Sequence, residues 1–281
     1  FQYLEKLGIK RRPNPSAGKD LEWFHMSPKE AQAHLNDFRY NRGILTPGEG
    51  RAVELRDEQK ACIEQTCGYL DGIPEGGTAE VLWNAKPRFG KTLTAYKACA
   101  KRGARRILIL TNRPAVADSW YKDYVKFVGS SSGLLFVSEC DQLKGQKYVL
   151  TREQWASRMR LARGEDGDGL IEFVSLQDLK GSMYFGGDHD KLKHLAETYW
   201  DALIIDEDHE GVYTTKAELA LGKIRRKLTI HMSGTPFKQL ATSRYPEKAI
   251  YNWTYADEQQ AKREWNPERG SNPYSGLPQL N

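Results

Sequence analysis

The feature that most constrains this chain is a recurrence of short, continuously apolar runs separated by helix-length stretches. The runs fall at 79–84, 106–111, 134–138, 171–176, 201–206 and 227–233. Strict alternation of polar and apolar residues would mark strands with one wet face. Unbroken runs such as Ile107-Leu108-Ile109-Leu110 mark strands buried on both faces. Helical spacing predicts helices over 56–69, 92–102 and 114–127. Strands alternating with helices in this way predict an α/β fold, a parallel sheet with helices on both faces.

Composition removes other classes. The chain is 39% hydrophobic and 28% charged, which excludes a disordered tail, a collagen-like fibre and a membrane bundle. Its apolar runs are strand-sized, far below the ~18 residues of a bilayer span. A net charge of +5 permits a polyanionic partner without demanding one. Cys62, Cys67, Cys99 and Cys140 show no C-x-x-C spacing, so neither a zinc site nor a disulfide framework is expected. Reduced thiols fit a cytoplasmic chain. The basic clusters at Lys101-Arg102-Arg105-Arg106 and Lys223-Arg225-Arg226-Lys227 read as solvated faces that could add attraction to a polyanion. Residues 1–50 read as an accessory or linker segment, with a helix start at Ser27-Pro28-Lys29-Glu30 running to about Phe38. Phe1 at one end and Pro- and Gly-rich residues 272–281 at the other give the expectation of a piece cut from a longer protein.

One run leads into a loop with recognisable chemistry. Ala85-Lys86-Pro87-Arg88-Phe89-Gly90-Lys91-Thr92 follows the strand ending at Asn84 and opens a helix. A turn wrapped onto a helix N-terminus aims backbone N–H groups at one point, where the helix dipole adds positive charge. In that setting Lys91 reaches β- and γ-phosphates, and the Thr92 hydroxyl is placed for Mg²⁺. The spacing approaches G-x-x-x-x-G-K-[ST], with Ala85 in the first glycine's place and Pro87 and Phe89 making the loop stiffer and bulkier.

A second signal is Asp206-Glu207-Asp208-His209 after the apolar Leu203-Ile204-Ile205. Ligands of open parallel sheets bind outside the carboxyl ends of strands. Asp206 is therefore expected to face the loop and hold Mg²⁺, with Glu207 deprotonating an attacking water. Ser233-Gly234-Thr235-Pro236 closes a further strand at the same edge.

With Gln59 in Leu55-Arg56-Asp57-Glu58-Gln59 ahead of the loop, the order of these elements resembles the superfamily 2 helicases and translocases. Residues 85–92 look like motif I, Thr111-Asn112-Arg113-Pro114 like motif Ia, Ser175-Leu176-Gln177 like motif Ib or Ic, Asp206 to His209 like motif II and Ser233 to Pro236 like motif III. The resemblance covers about 55 to 245. D-E-x-H combined with S-G-T-P, and residues 251–265 after it, look most like the motor subunits of type I and type III restriction enzymes.

The resemblance implies a first RecA-like P-loop NTPase domain at 51–245, with 246–281 leading towards a second motor domain that carries an arginine finger. It implies ATP and Mg²⁺ as cofactors, held by Arg56, Gln59, Lys86, Pro87, Arg88, Phe89, Gly90, Lys91 and Thr92, with Lys91, Asp206 and Glu207 catalytic. His209, Ser233, Thr235 and Gln177 would couple the nucleotide to Thr111, Arg113 and Ser175 on duplex DNA. Nuclease or methyltransferase modules and a prokaryotic or phage source are further implications, and no membrane is. RNA helicases, other P-loop NTPases and nucleic-acid docking modules remain alternatives. DNA-stimulated ATP hydrolysis separates them.

Overall fold

In a computed structural model, residues 53–129, 132–146, 148–161, 169–206, 215–236 and 244–276 are described. The helix expected from Ser27, most of the polar loop beginning at Arg163, and the candidate residues Glu207 and His209 lie outside them.

Eight strands form one sheet. They are β1 (Ala79–Ala85), β2 (Arg106–Thr111), β3 (Leu134–Ser138), β4 (Val149–Leu150), β5 (Gly169–Ser175), β6 (Trp200–Asp206), β7 (Arg226–Ser233) and β8 (Ile250–Trp253). Their order is β4-β3-β5-β2-β6-β7-β1-β8, and every neighbouring pair runs parallel. Parallel neighbours need crossover connections. The connecting helices are α1 (Asp57–Asp71) before β1, then α2 (Lys91–Lys101), α3 (Ala117–Asp123), α4 (Arg152–Leu161), α5 (Leu176–Gly181), α6 (Lys193–Glu197), α7 (Thr215–Gly222) and α8 (Tyr255–Arg263).

The apolar runs are continuous because both faces are covered. On central β2, Ile107 and Ile109 pack with Cys62 and Ile63 of α1, Tyr96 of α2 and Trp120 of α3. Leu108 and Leu110 point the other way, against Leu179 of α5, Leu195 of α6 and Ala220 of α7. The predicted α/β class, with its parallel sheet and helices on both faces, is what forms.

Three local features depart from the sequence expectation. The helix expected over 114–127 is a 3₁₀ turn (Pro114–Val116), then α3, then a wider π turn (Tyr124–Val128) that stops at Gly129 with φ 66°. That last turn buries Tyr124 against Phe136, with its hydroxyl donating to Leu134 O at 2.8 Å. Strand β8 comes from the segment expected to be an extension, and it pairs with β1 from Leu82↔Ile250 to Ala85↔Trp253. Tyr274, in the stretch expected to be loose linker, is buried.

The two basic clusters meet at the amino end of the sheet, opposite Ala85 and Asp206. Several of their members are neutralised there, as in Arg102–Asp71 at 2.6 Å and Arg226–Glu80 at 2.9 Å. Among the described residues no helix is long and apolar enough to cross a membrane.

Candidate functional site

The site is built at the carboxyl edge of β1, β7, β6, β2 and β5. Register places Asn84 beside Ser233, Asp206 beside Met232 and Thr111, and Thr111 beside Ser175. The loop after β1 and Asp206 are therefore two strand spacings apart, roughly 10 Å.

The loop is fixed by two left-handed residues, Arg88 (φ 67°) and Gly90 (φ 87°). Between them Phe89 turns inward, fully buried, with its ring 6.0 Å from that of Tyr251. The aromatic residue that looked bulky for such a loop is thus its anchor. Pro87, Arg88 and Gly90 face outward. A Cβ on Gly234 would stand 3.6 Å from Pro87 Cδ and 3.7 Å from Ala85 O, so the S-G-T-P turn passes close beside the loop.

Helix α2 starts on Gly90 with no side-chain cap and no acid in its first turn. Its first N–H groups lack intrahelical partners and carry the positive end of the dipole. Lys91 Nζ folds back over the loop and donates to Ala85 O at 2.8 Å. Thr92, half-buried, stands in the same first turn.

Arg56 and Gln59 brace the loop from outside. The Gln59 amide donates from Nε2 to Phe89 O at 2.8 Å and accepts at Oε1 from Arg56 N at 3.0 Å. Arg56 Nη2 donates to Phe89 O at 2.5 Å and Arg88 O at 3.2 Å. Both residues reach the loop through its carbonyls. Beside them a cleft of about 440 Å³ opens between the start of α1 and residues 265–274, lined by Arg56, Trp265, Arg269 and Tyr274 among others.

Lys86 points away from the loop's mouth. Its amine pairs with Glu258 Oε1 at 2.5 Å and sits 4.6 Å from the centre of the Tyr255 ring. Like Phe89, which is buried against Tyr251, it is a residue expected to hold nucleotide whose side chain is turned to a different partner.

Asp206 ends β6 half-buried, and its Oδ2 accepts the Trp120 indole N–H at 2.8 Å. Among the described residues no group of three or more His, Cys, Asp or Glu could hold a metal alone. Asp206 and the Thr92 hydroxyl are hard oxygen donors. That fits Mg²⁺ held jointly with phosphate oxygens rather than in an all-protein cage.

The hydroxyls along this edge share one local use. Thr111 Oγ1 accepts from Arg113 N at 3.0 Å, Ser233 Oγ from Thr235 N at 3.1 Å, and Ser175 Oγ from Asp178 N at 3.0 Å. Each bends the chain as its strand ends. Thr111, Ser175 and Ser233 are buried, while Arg113, Gln177 and Thr235 are exposed. The carboxyl group of Asp178 would be pushed up by its partial burial. Hydrogen bonds from Lys191 and Ser175 outweigh that and hold it below the ordinary value.

The sequence reading missed Glu258, Tyr274 and the role of Trp120. Tyr251 donates to Glu58 O at 2.7 Å, and Tyr274 donates to Glu58 Oε2 at 2.7 Å. Burial raises both phenols most; Cys62 and then the Glu58 charge add to it at Tyr251, and the hydrogen bond to Glu58 and its charge add to it at Tyr274, so both stay protonated as donors.

The chain matches the family described as "Type III restriction enzyme, res subunit" over residues 52–238. It is 26% identical over 290 aligned residues to a Mycoplasma pneumoniae protein named "Putative type II restriction enzyme and methyltransferase RM.MpnORF110P C-terminus", covering 89% of this chain and 36% of that one. The chain thus spans little more than a third of that relative. Among solved structures it overlaps the Sulfolobus solfataricus SWI2/SNF2 ATPase core in complex with dsDNA, at 17% identity and a TM-score of 0.45, over 72% of this chain and 36% of that one. It also overlaps the ATP-dependent Type ISP restriction-modification enzyme LlaBIII bound to DNA, at 16% identity and a TM-score of 0.45, over 66% of this chain and 13% of that one. Because the family match takes in more than half of its residues, the chain belongs to the family of type III restriction enzyme res subunits.

Proposed function

We propose that this chain is the ATP-binding and ATP-hydrolysing part of a DNA translocase or helicase acting in restriction–modification or a related DNA-processing reaction. One observation carries the reading. The loop 85–92 and Asp206, remote in sequence, lie two strands apart along one carboxyl edge of a parallel sheet, with the strand that ends in S-G-T-P between them.

In this reading the uncapped start of α2 and the loop amides receive the phosphates. Lys91 leaves Ala85 O and neutralises the β- and γ-phosphates. Asp206 and Thr92 would hold Mg²⁺, which when bound would offset the charge of the phosphates. Glu207, next in sequence, orients and deprotonates the attacking water. An arginine from a second RecA-like domain completes the charge clamp, a contribution of roughly 10³ to 10⁵ in rate in related systems. DNA phosphates lie along the strand ends of β2 and β5. There Arg113 is an exposed cation, and Thr111 and Ser175 shape the turns that present backbone N–H groups. Nuclease or methyltransferase modules act in the same polypeptide or assembly, in a prokaryotic or phage cytoplasm.

The test is nucleotide binding followed by turnover. The chain is expected to bind a fluorescent ATP analogue with Mg²⁺, and Lys91→Ala to lose most of that affinity. Linked to its second motor domain, it is expected to hydrolyse ATP faster when duplex DNA is added. Equal binding by the wild type and Lys91→Ala would remove the phosphate-loop reading. Hydrolysis indifferent to DNA would remove the motor reading.

A further inference from the structure

We propose that Glu258 is a positioning residue for the phosphate loop, acting through Lys86, so that helix α8 sets how tightly the loop holds nucleotide phosphates. This rests on the proposed reading of that loop and extends it to a segment outside the family match.

Lys86 is the first residue after β1, where the loop leaves the sheet. Its side chain is 4% exposed and that of Glu258 1%. Apart from the Lys86 amine, neither carboxylate oxygen of Glu258 has a partner among the described residues. A buried charge held by a single counter-charge is strongly tied to that partner's position, because any separation exposes both to a low dielectric. The Tyr255 ring closes over the same amine. The backbone follows the same path, with Lys86 N donating to Trp253 O at 3.0 Å, and the neighbouring side chains join it, Asn84 Nδ2 donating to Asn252 Oδ1 at 2.8 Å. The base of the loop is thus held on one side by Gly234 of the S-G-T-P turn and on the other by β8 and α8.

Stability alone is a poor reason for such a pair. Apolar residues of similar volume usually serve a core as well or better, while removal of one partner is severe. What the pair does supply is a defined place for the loop's first residue. Lys86 directs its charge away from the phosphate side, which leaves Lys91 to meet the phosphates.

The experiment measures affinity for a fluorescent ATP analogue and thermal unfolding in the full chain. The variants are Glu258→Gln, Lys86→Met, and the double variant Lys86→Met with Glu258→Leu. Each single variant is expected to weaken nucleotide binding about tenfold. The double variant removes both charges together and is expected to melt at or above the wild-type temperature while still binding about tenfold more weakly. A purely structural pair would leave the affinity of that well-folded variant untouched, and such a result overturns the proposal. Should the single variants fail to fold, the double variant decides alone. A wild type that binds no nucleotide overturns the loop reading, and this proposal with it.

Discussion

The indole N–H of Trp120 donates to Asp206 Oδ2 at 2.8 Å, tying the helix after β2 to the acid that ends β6. Trp120 is buried, its ring stands edge-on to Tyr96 at 5.3 Å, and its own carbonyl accepts the Tyr96 hydroxyl at 3.0 Å. The carboxylate is therefore aimed by a donor that is itself immobilised. Trp120→Phe keeps most of the packing and deletes the donor. The expected cost is about 1.5–3 kcal/mol of stability, as for other hydrogen bonds to charged groups. The Mg²⁺ concentration needed for half-maximal nucleotide binding should rise about tenfold, as when a partner that orients a metal ligand is lost. Denaturant unfolding and a Mg²⁺ titration read the two effects. An unchanged titration would show that Trp120 does nothing beyond filling space.

In the phosphate loop, Gly90 is a position that tolerates a side chain poorly. At φ 87° a non-glycine residue costs about 1–2 kcal/mol, and an added Cβ would stand 2.5 Å from Gln59 Nε2. That nitrogen is held by Phe89 O, so it cannot withdraw without losing its hydrogen bond. Gly90→Ala should lower stability by about 2 kcal/mol. In a Gln59→Ala background the same substitution should cost measurably less, because the steric part is gone. Urea unfolding of the four combinations gives the cycle, and strict additivity would contradict the geometry.

Asp178 sets an acid-side dependence. Its folded value lies below the ordinary carboxylate value, so the folded state binds its proton less readily than the unfolded chain. The carboxylate's stabilising effect is present above the unfolded value of about 4 and is lost as pH falls through the lower folded value. With its side chain about half exposed, the effect should be at most about 1 kcal/mol. The stability difference between wild type and Asp178→Asn should be flat from pH 7 to pH 5 and shrink below pH 4. A difference that grows on acidification would have the wrong sign.

The sheet was readable because its central strands are wet on neither face. Ile107 to Leu110 announces β2, and Leu203 to Ile205 announces β6. The positions of the loop and of Asp206 were readable because few other arrangements place Gly-Lys-Thr a short loop beyond one such run and Asp-Glu at the end of another. Helix α8 was not. Its sequence, Tyr255-Ala256-Asp257-Glu258, gives every sign of a solvated surface, and Glu258 is dry only because Lys86 lies across from it. Likewise Glu58, besides its local ion pair with Arg56, accepts from Tyr251, 193 residues on, and from Tyr274, 216 residues on. No local period encodes such meetings. Gln59 shows the same limit, since its residue type suggests recognition of a ligand while its amide grips the neighbouring backbone. Val149–Leu150 is too short a strand to leave any pattern.

The place of β1 in the sheet bears on how the polypeptide emerges from a ribosome. Its only two neighbours are β7 (Arg226–Ser233) and β8 (Ile250–Trp253), both synthesised long after it. Until both have emerged, the strand that carries the phosphate loop is apolar with two bare edges, a template for wrong pairing. Chains truncated between β6 and β7 should therefore aggregate, and chaperone demand should end only once residue 253 has cleared the exit tunnel.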